Sequence, residues 1–342
     1  MAIRKHIFFF ILSVFMMMYT SCSISRLAVD SLADMLAGSG GTVFTGDEDP
    51  ELVGDALPFA LKLYESLLSA SPENDELLLT AGTGFISYSN IYVHSPSDML
   101  PQAEYRKQKE MRFRAKRLYL RGRDYILRGL DVRHPGFLEA LESGNFEAAF
   151  EGCTPEDVPF LYWASAGWLS AVAFDILDAE LMITIPSAFA LAVKALSLDE
   201  TWGQGSIHEL FISVYGSVPE SLLFRPVVPE DGDSLRLFLE EYYAPVLGSA
   251  AVPLSEKARF HYKRAVSLSE GLKSSPHLSY AMAFGKKQEK PDQFIILLER
   301  ALAVDPEASP ENRLANIANK QKAEWLLENL DNFFLLETDD EW

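Results

Sequence analysis

The sequence predicts an all-α fold, and three observations carry the prediction. Apolar residues recur at spacings of three, four and seven along most of the 342-residue chain, which is the period of one helix face. No run alternates apolar and polar residues as a half-buried strand does. Short segments containing Pro, Asp or Ser separate the periodic runs and supply helix stops and caps. Hydrophobic residues make up 48% and charged residues 23%, the balance of a globular chain long enough for one large domain or two small ones. Lys and Arg number 30 against 49 Asp and Glu, a net charge of −19. That balance argues against a nucleic-acid partner, because phosphate contacts need an excess of positive charge.

In chain order, Arg4 and Lys5 precede an apolar run from Ile7 to Tyr19, the pattern of a signal peptide over residues 1–21. The run falls short of the roughly 20 apolar residues that span a bilayer and stops at Thr20-Ser21-Cys22. This segment resembles a bacterial lipobox, which makes Cys22 the expected lipidation site and the first residue of the mature protein. Tyr19 departs from that pattern, since an aliphatic residue is usual there. Several acyl chains on Cys22 would anchor the chain firmly, so the body is expected outside the cytoplasm, lipid-anchored to a bacterial membrane and away from ATP and NAD. The second cysteine, Cys153, is too distant from Cys22 in sequence to suggest a metal knuckle or a disulfide framework. Residues 22–50 read as a tether with a first helix from Ile24 to Ala37 and a Gly-rich loop, Gly38 to Gly41. Residues 51–342 read as a single helical domain.

Within that domain the periodicity predicts helices at Glu51–Ala70, Asp75–Tyr92, Gln102–Leu130, Pro159–Leu181, Pro186–Leu198, Gly205–Val218, Ser234–Leu247, Ser255–Leu272, Ser275–Phe284, Asp292–Val304 and Glu311–Phe333. Among them a degenerate unit recurs. Phe294-x3-Leu298-x2-Ala301-Leu302-x2-Asp305-Pro306 is echoed by Ala60-x3-Tyr64-x2-Leu67 ending at Pro72, by Ala188-x3-Ala192-x2-Ala195-Leu196, and by Ala258-x3-Tyr262-x2-Ala265. A partner pattern appears as Leu78-x2-Ala81-Gly82-x2-Phe85 and Trp163-x2-Ala166-Gly167. These units resemble tetratricopeptide repeats, in which small residues mark helix crossings and each hairpin buries its apolar face against the next. About four such helix-turn-helix repeats are expected, with extra helices and with insertions at Gly216–Asp233 and Pro135–Pro159.

No catalytic constellation emerges. The six histidines, His6, His94, His134, His208, His261 and His277, lack the i, i+4 spacing of a helical zinc site. There is no G-x-S-x-G elbow and no Ser-x-x-Lys pair, and Gly38 to Gly41 lacks the Lys-Ser or Lys-Thr of a phosphate loop. The expectation is therefore no enzyme, no metal and no cofactor. Two features could carry binding. Eleven of the basic residues fall between Arg106 and Arg133, where an apolar stripe through Met111, Ala115, Leu118, Tyr119, Gly122, Ile126 and Leu130 makes them the solvated face of one long helix; the other reading is a docking surface for an acidic partner or lipid headgroups. Aromatic residues also gather on the first helices of the predicted pairs: Phe85, Tyr88 and Tyr92; Trp163 and Trp168; Phe211 and Tyr215; Tyr280 and Phe284. They read either as core or as a groove for an apolar ligand or a partner.

The lipobox-like Cys22, the acidic helical body and the cryptic repeats with Trp163-x2-Ala166-Gly167-Trp168 together resemble the TatT family, the T component associated with tripartite ATP-independent periplasmic (TRAP) transporters, its treponemal form in particular. The resemblance implies a membrane-tethered periplasmic scaffold that forms a homo-oligomer, a trimer. It also implies docking of the solute-binding P component and a part in binding hydrophobic ligands. The alternative reading is a stand-alone lipid or hydrophobic-ligand carrier.

Overall fold

The computed structural model describes residues 43–174, 178–223, 238, 241–242, 252–286 and 290–334. Cys22, the expected helix Ile24–Ala37, the loop Gly38–Gly41 and most of Ser234–Leu247 lie outside them. Among the described residues every regular element is helical.

Helix α1 (Pro50–Ala70) starts where Asp49 accepts hydrogen bonds from the Glu51 and Leu52 N–H groups and Pro50 occupies the first turn, a position where its missing N–H costs nothing. Helix α2 (Asp75–Tyr88) is capped by Asn74, whose side chain accepts from Leu77 N–H. It runs on through a π-helical stretch, Ser89–His94, into Ser95–Asp98. There follow α3 (Tyr105–Arg133), α4 (Val158–Phe174), α5 (Ile185–Leu198), α6 (Trp202–Ser217), α7 (Leu254–Leu268), α8 (Ser275–Tyr280) with a second π-helical stretch at Ala281–Gly285, α9 (Pro291–Leu302) and α10 (Arg313–Glu328).

Consecutive helices lie against each other: α2 on α3, α3 on α4, α4 on α5, α6 on α7 and α9 on α10. Helix α10 also reaches α1, so the end of the array meets its beginning. There Arg313 Nη1 donates to the Gly46 carbonyl at 3.2 Å and Lys322 Nζ lies 3.2 Å from Asp98 Oδ2. Helix α5 is the centre of the largest core cluster and is buried along nearly its whole length. The stretch Ala179–Leu198 is apolar enough by composition to cross a membrane, but 67% of it is buried inside the protein, so this apolarity belongs to the core.

Close helix crossings depend on glycine. A Cβ on Gly122 would sit 2.6 Å from the Gly82 carbonyl and 2.7 Å from Ile86 Cγ1, and one on Gly167 would sit 2.7 Å from Ile86 Cδ1. Helices α2, α3 and α4 therefore approach each other backbone to backbone at the glycines the sequence pattern picks out at 82 and 167.

Several boundaries differ from expectation, each for a local reason. Helix α4 is described as far as Phe174, and the expected run to Leu181 is not one helix, because Asp178 caps a separate turn, Ala179–Met182, by accepting from Glu180 and Leu181 N–H. Helix α7 stops at Leu268 rather than Leu272, where Glu270 and Gly271 turn to positive φ. Helix α10 covers only Arg313–Glu328 of the expected Glu311–Phe333, and 3-10 turns flank it. Helix α6 begins three residues before Gly205, with Gly203, Gln204 and Gly205 all in the left-handed region, which favours glycine. The Gln204 side chain offsets this strain by accepting from Asn312 and donating to Glu311. The Pro135–Pro159 segment folds as the short helices Phe137–Glu142 and Phe146–Phe150 and a 3-10 turn, and it sends Phe137, Leu141, Phe146 and Phe150 into the main core.

Candidate functional site

The nine aromatic residues singled out by the sequence fall into separate groups among the described residues. On α2, Phe85 is buried and stacks on Tyr125 with centroids 5.9 Å apart, while Tyr88 and Tyr92 are half-buried and 5.6 Å apart. The Tyr92 hydroxyl is enclosed without a hydrogen-bond partner; burial, with Asp47 and Asp49 nearby, pushes its ionisation up to about 12. On α4, Trp168 is core: its Nε1 donates to Thr184 Oγ1 at 2.8 Å and Arg123 lies over its ring. Trp163 is half-buried and joins Tyr162 and Trp202 in a chain of ring contacts. On α6, Phe211 and Tyr215 are buried against Phe189 and His261. On α8 and its π extension, half-buried Tyr280 stacks on Tyr262 at 4.6 Å and on buried Phe284 at 5.5 Å.

A spacing search within single helices could not reveal the polar clusters that the fold assembles. His208 on α6 and His261 on α7, both fully buried, bring their Nδ1 atoms to 2.7 Å, so one ring donates and the other accepts. His208 Nε2 lies 3.4 Å from Glu200, which Arg264 pairs from the other side. Burial outweighs Glu200 and lowers His208 to about 4, and burial with the neighbouring His208 holds His261 well below the ordinary histidine range. The next residue of α6, Glu209, pairs with Lys273, whose Nζ also donates to Ser206 Oγ at 2.8 Å and to the Gly203 carbonyl at 3.2 Å. That ammonium fastens the left-handed entry of α6. His277, lowered to about 4 by burial and Arg300, shares a hydrogen bond with the Tyr262 hydroxyl at 2.9 Å.

A second cluster joins the ends of α3 and α4. Asp157, 1% exposed, accepts from Arg133 Nε at 2.7 Å and from the Thr154 N–H at 2.9 Å, with His134 Nε2 at 3.0 Å. Arg133 also reaches Asp75 at 2.8 Å. Burial alone would raise the Asp157 carboxyl, but the Thr154 N–H, Arg133 and His134 outweigh it and hold it below the ordinary carboxylate range. Ligand atoms of His134, Cys153 and Asp157 lie within 4.8 Å of one another, a set that could hold a metal ion by type. The Arg133 guanidinium already supplies a cation at Asp157, and burial with Asp157 pushes the Cys153 thiol up to about 12. The arrangement is an ion-pair knot between helices. Asp157→Ala should cost about 3 kcal/mol, the order expected for breaking a buried pair, seen as a lower urea midpoint at unchanged slope. A loss below about 1 kcal/mol would show that the knot contributes little.

The basic stretch is largely tied to the protein's own acids: Lys107 to Glu104, Arg112 to Asp98, Lys116 to Asp178, Arg121 to Glu65, Arg123 to Asp124, and Arg133 to Asp75 and Asp157. Asp98 links three elements, with His94 3.4 Å away on its own helix, Arg112 on α3 and Lys322 on α10. These partners outweigh burial and hold it ionised far below the usual range.

Fold and clusters together define a class: an all-helical scaffold of stacked helices whose buried charges are engaged mainly in tying neighbouring helices together. Comparison with known proteins makes this specific. The chain matches the family described as TRAP transporter T-component over residues 46–222 and 235–334, and it belongs to that family. It is also 30% identical over 330 residues to a Treponema pallidum (strain Nichols) protein recorded as uncharacterized, covering 92% of this chain and 93% of that one. The family is one of transporter accessory components, not an enzyme family, and it suggests a periplasmic or membrane-associated location.

Proposed function

We propose that this chain is the membrane-anchored periplasmic scaffold of a TRAP-type transporter, which docks the solute-binding P component and takes part in holding a hydrophobic ligand. The family membership over most of the chain carries this reading. A ladder of helices, each lying on the last, supports it: such an array offers extended faces for a protein partner. In this proposal Cys22 holds the lipid anchor, the chain assembles as a trimer, and the half-buried Tyr88, Tyr92, Trp163 and Tyr280 provide apolar contact for ligand or partner, with buried Phe284 stacked on Tyr280.

Sedimentation velocity of residues 23–342, alone and mixed with the solute-binding protein encoded beside it, tests this. The expected results are a trimer alone and a faster species of fixed stoichiometry in the mixture. A lone monomer that ignores the receptor at micromolar concentrations would sink the scaffold reading and leave a free-standing carrier in its place.

A further inference from the structure

The basic residues of α3 divide into two sets by what they meet. Six lie against carboxylates, as described above. The other five, Arg106, Lys109, Arg114, Arg117 and Arg128, are all exposed and have no carboxylate partner among the described residues. Arg114 donates instead to the neutral Tyr88 hydroxyl, Arg128 to the Pro72 carbonyl, and Arg117 covers the Phe113 ring at 5.0 Å. Among the described residues no carboxylate is held in an ion pair by any of the five, and together they outnumber the acids beside them.

Helical geometry places these five on one side of the cylinder. At 100° per residue, positions 106, 113, 117 and 128 fall within an arc of roughly 60°, with 109 and 114 on its two flanks. At 1.5 Å per residue the line runs about 33 Å along the helix. Two exposed acids share the stripe between Arg106 and Arg128: Glu110, and Asp124, which Arg123 pairs from the side. Phe113 projects from its middle, 59% exposed, and Tyr105, 64% exposed, stands at the start of the helix.

A straight row of cations with an aromatic ring at its centre is complementary to a plane of negative charge with apolar matter just beneath it. We propose that this face of α3, carrying Arg106, Lys109, Phe113, Arg114, Arg117 and Arg128, docks on an anionic phospholipid surface. Each unpaired cation adds to the attraction of such a surface, and an exposed aromatic ring among basic residues is the side chain that settles at headgroup depth. The chain as a whole carries −19, so an anionic bilayer repels its acidic faces and selects this one. A rigid 29-residue helix presents the row as a line, which suits a flat surface better than the curved face of a protein. The inference rests on α3 alone and stands apart from receptor docking.

The test uses the full chain on vesicles of phosphatidylcholine, with or without about one-third phosphatidylglycerol, and reads acylation of lysines by a water-soluble ester in the mass spectrometer. Insertion of the apolar leader is common to both lipid mixtures and cancels. Lys109 should react about tenfold more slowly on the anionic vesicles, while exposed Lys263 on α7 keeps its rate. Salt at about 0.5 M should abolish the difference, and so should the surface variant R106E/R117E. Equal Lys109 rates on the two lipids, equal protection of Lys109 and Lys263, or failure of the chain to float with anionic vesicles would each overturn the proposal. Protection of Lys109 by an acidic protein in solution, without any effect of vesicles, would overturn it in favour of a protein partner.

Discussion

Lowering the pH from 7.5 to 4.5 is expected to lower the melting temperature of this protein sharply, well before its depressed carboxylates titrate. His208 and His277 are held near 4, and His261 is held well below its ordinary value of 6.5 as well. Above pH 6.5 these rings are neutral in both the folded and the unfolded chain and add no pH dependence. Between 6.5 and 4 the unfolded chain binds protons that the folded chain refuses, so stability falls as the pH falls. For His277 the shift corresponds to about 3 kcal/mol once the pH has passed below 4. The His208–His261 pair acts in the same direction. Two protonated rings cannot share the 2.7 Å bond, and the groups that face them are the aromatic rings of Phe211, Tyr215 and Phe260, with Glu200 and Arg264 beyond. Asp98 and Asp157, held below 3.8, keep most of their contribution through this window and lose it as the pH falls from 3.8 towards their own depressed values. Thermal melts at half-unit pH steps check the expectation, and His277→Gln should flatten the profile. A melting temperature unchanged between pH 7.5 and 4.5 would mean that these rings are solvated in the folded state.

Gly122→Val should open the seam between α2 and α3. Its Cβ would already meet the Gly82 carbonyl at 2.6 Å and Ile86 at 2.7 Å, and the opposing atom at position 82 is backbone, which cannot rotate away. Overpacking of this kind costs about 3 kcal/mol, a fall in melting temperature of several degrees for a chain of this size. The gain in helix propensity on losing a glycine, about 1 kcal/mol or less, does not offset it. Gly136→Ala provides a contrast: nothing lies within 4 Å of its added carbon, and only its φ of +91° is strained, so its loss should be smaller. Equal melting temperatures for wild type and Gly122→Val would show that the helices separate without penalty.

Much of this was legible in the chain. The 3.6-residue period of apolar side chains is a local property, and the helices at Glu51–Ala70, Pro186–Leu198 and Asp292–Val304 fall within two residues of where it puts them. Gly82 and Gly167 announced close crossings because only a missing side chain allows two helix backbones to touch. Helix ends were less legible: the cap at Asp178 and the left-handed turn at Gly203–Gly205 depend on partners such as Lys273, 70 residues away from Gly203.

The sequence by itself determined the helical class, the charge balance and the placing of basic residues on one long helix, since each of these is written in composition or in short-range spacing. Only the tertiary structure decided which charges are spent and which are free. The carboxylates that neutralise Arg121, Lys116 and Arg133 come from Glu65, Asp178, Asp75 and Asp157, and the partners His208 and His261 stand 53 residues apart. Ion pairs and hydrogen bonds act over a few ångströms of space whatever the distance along the chain, so burial and pairing exist only once helices from remote segments have been laid side by side.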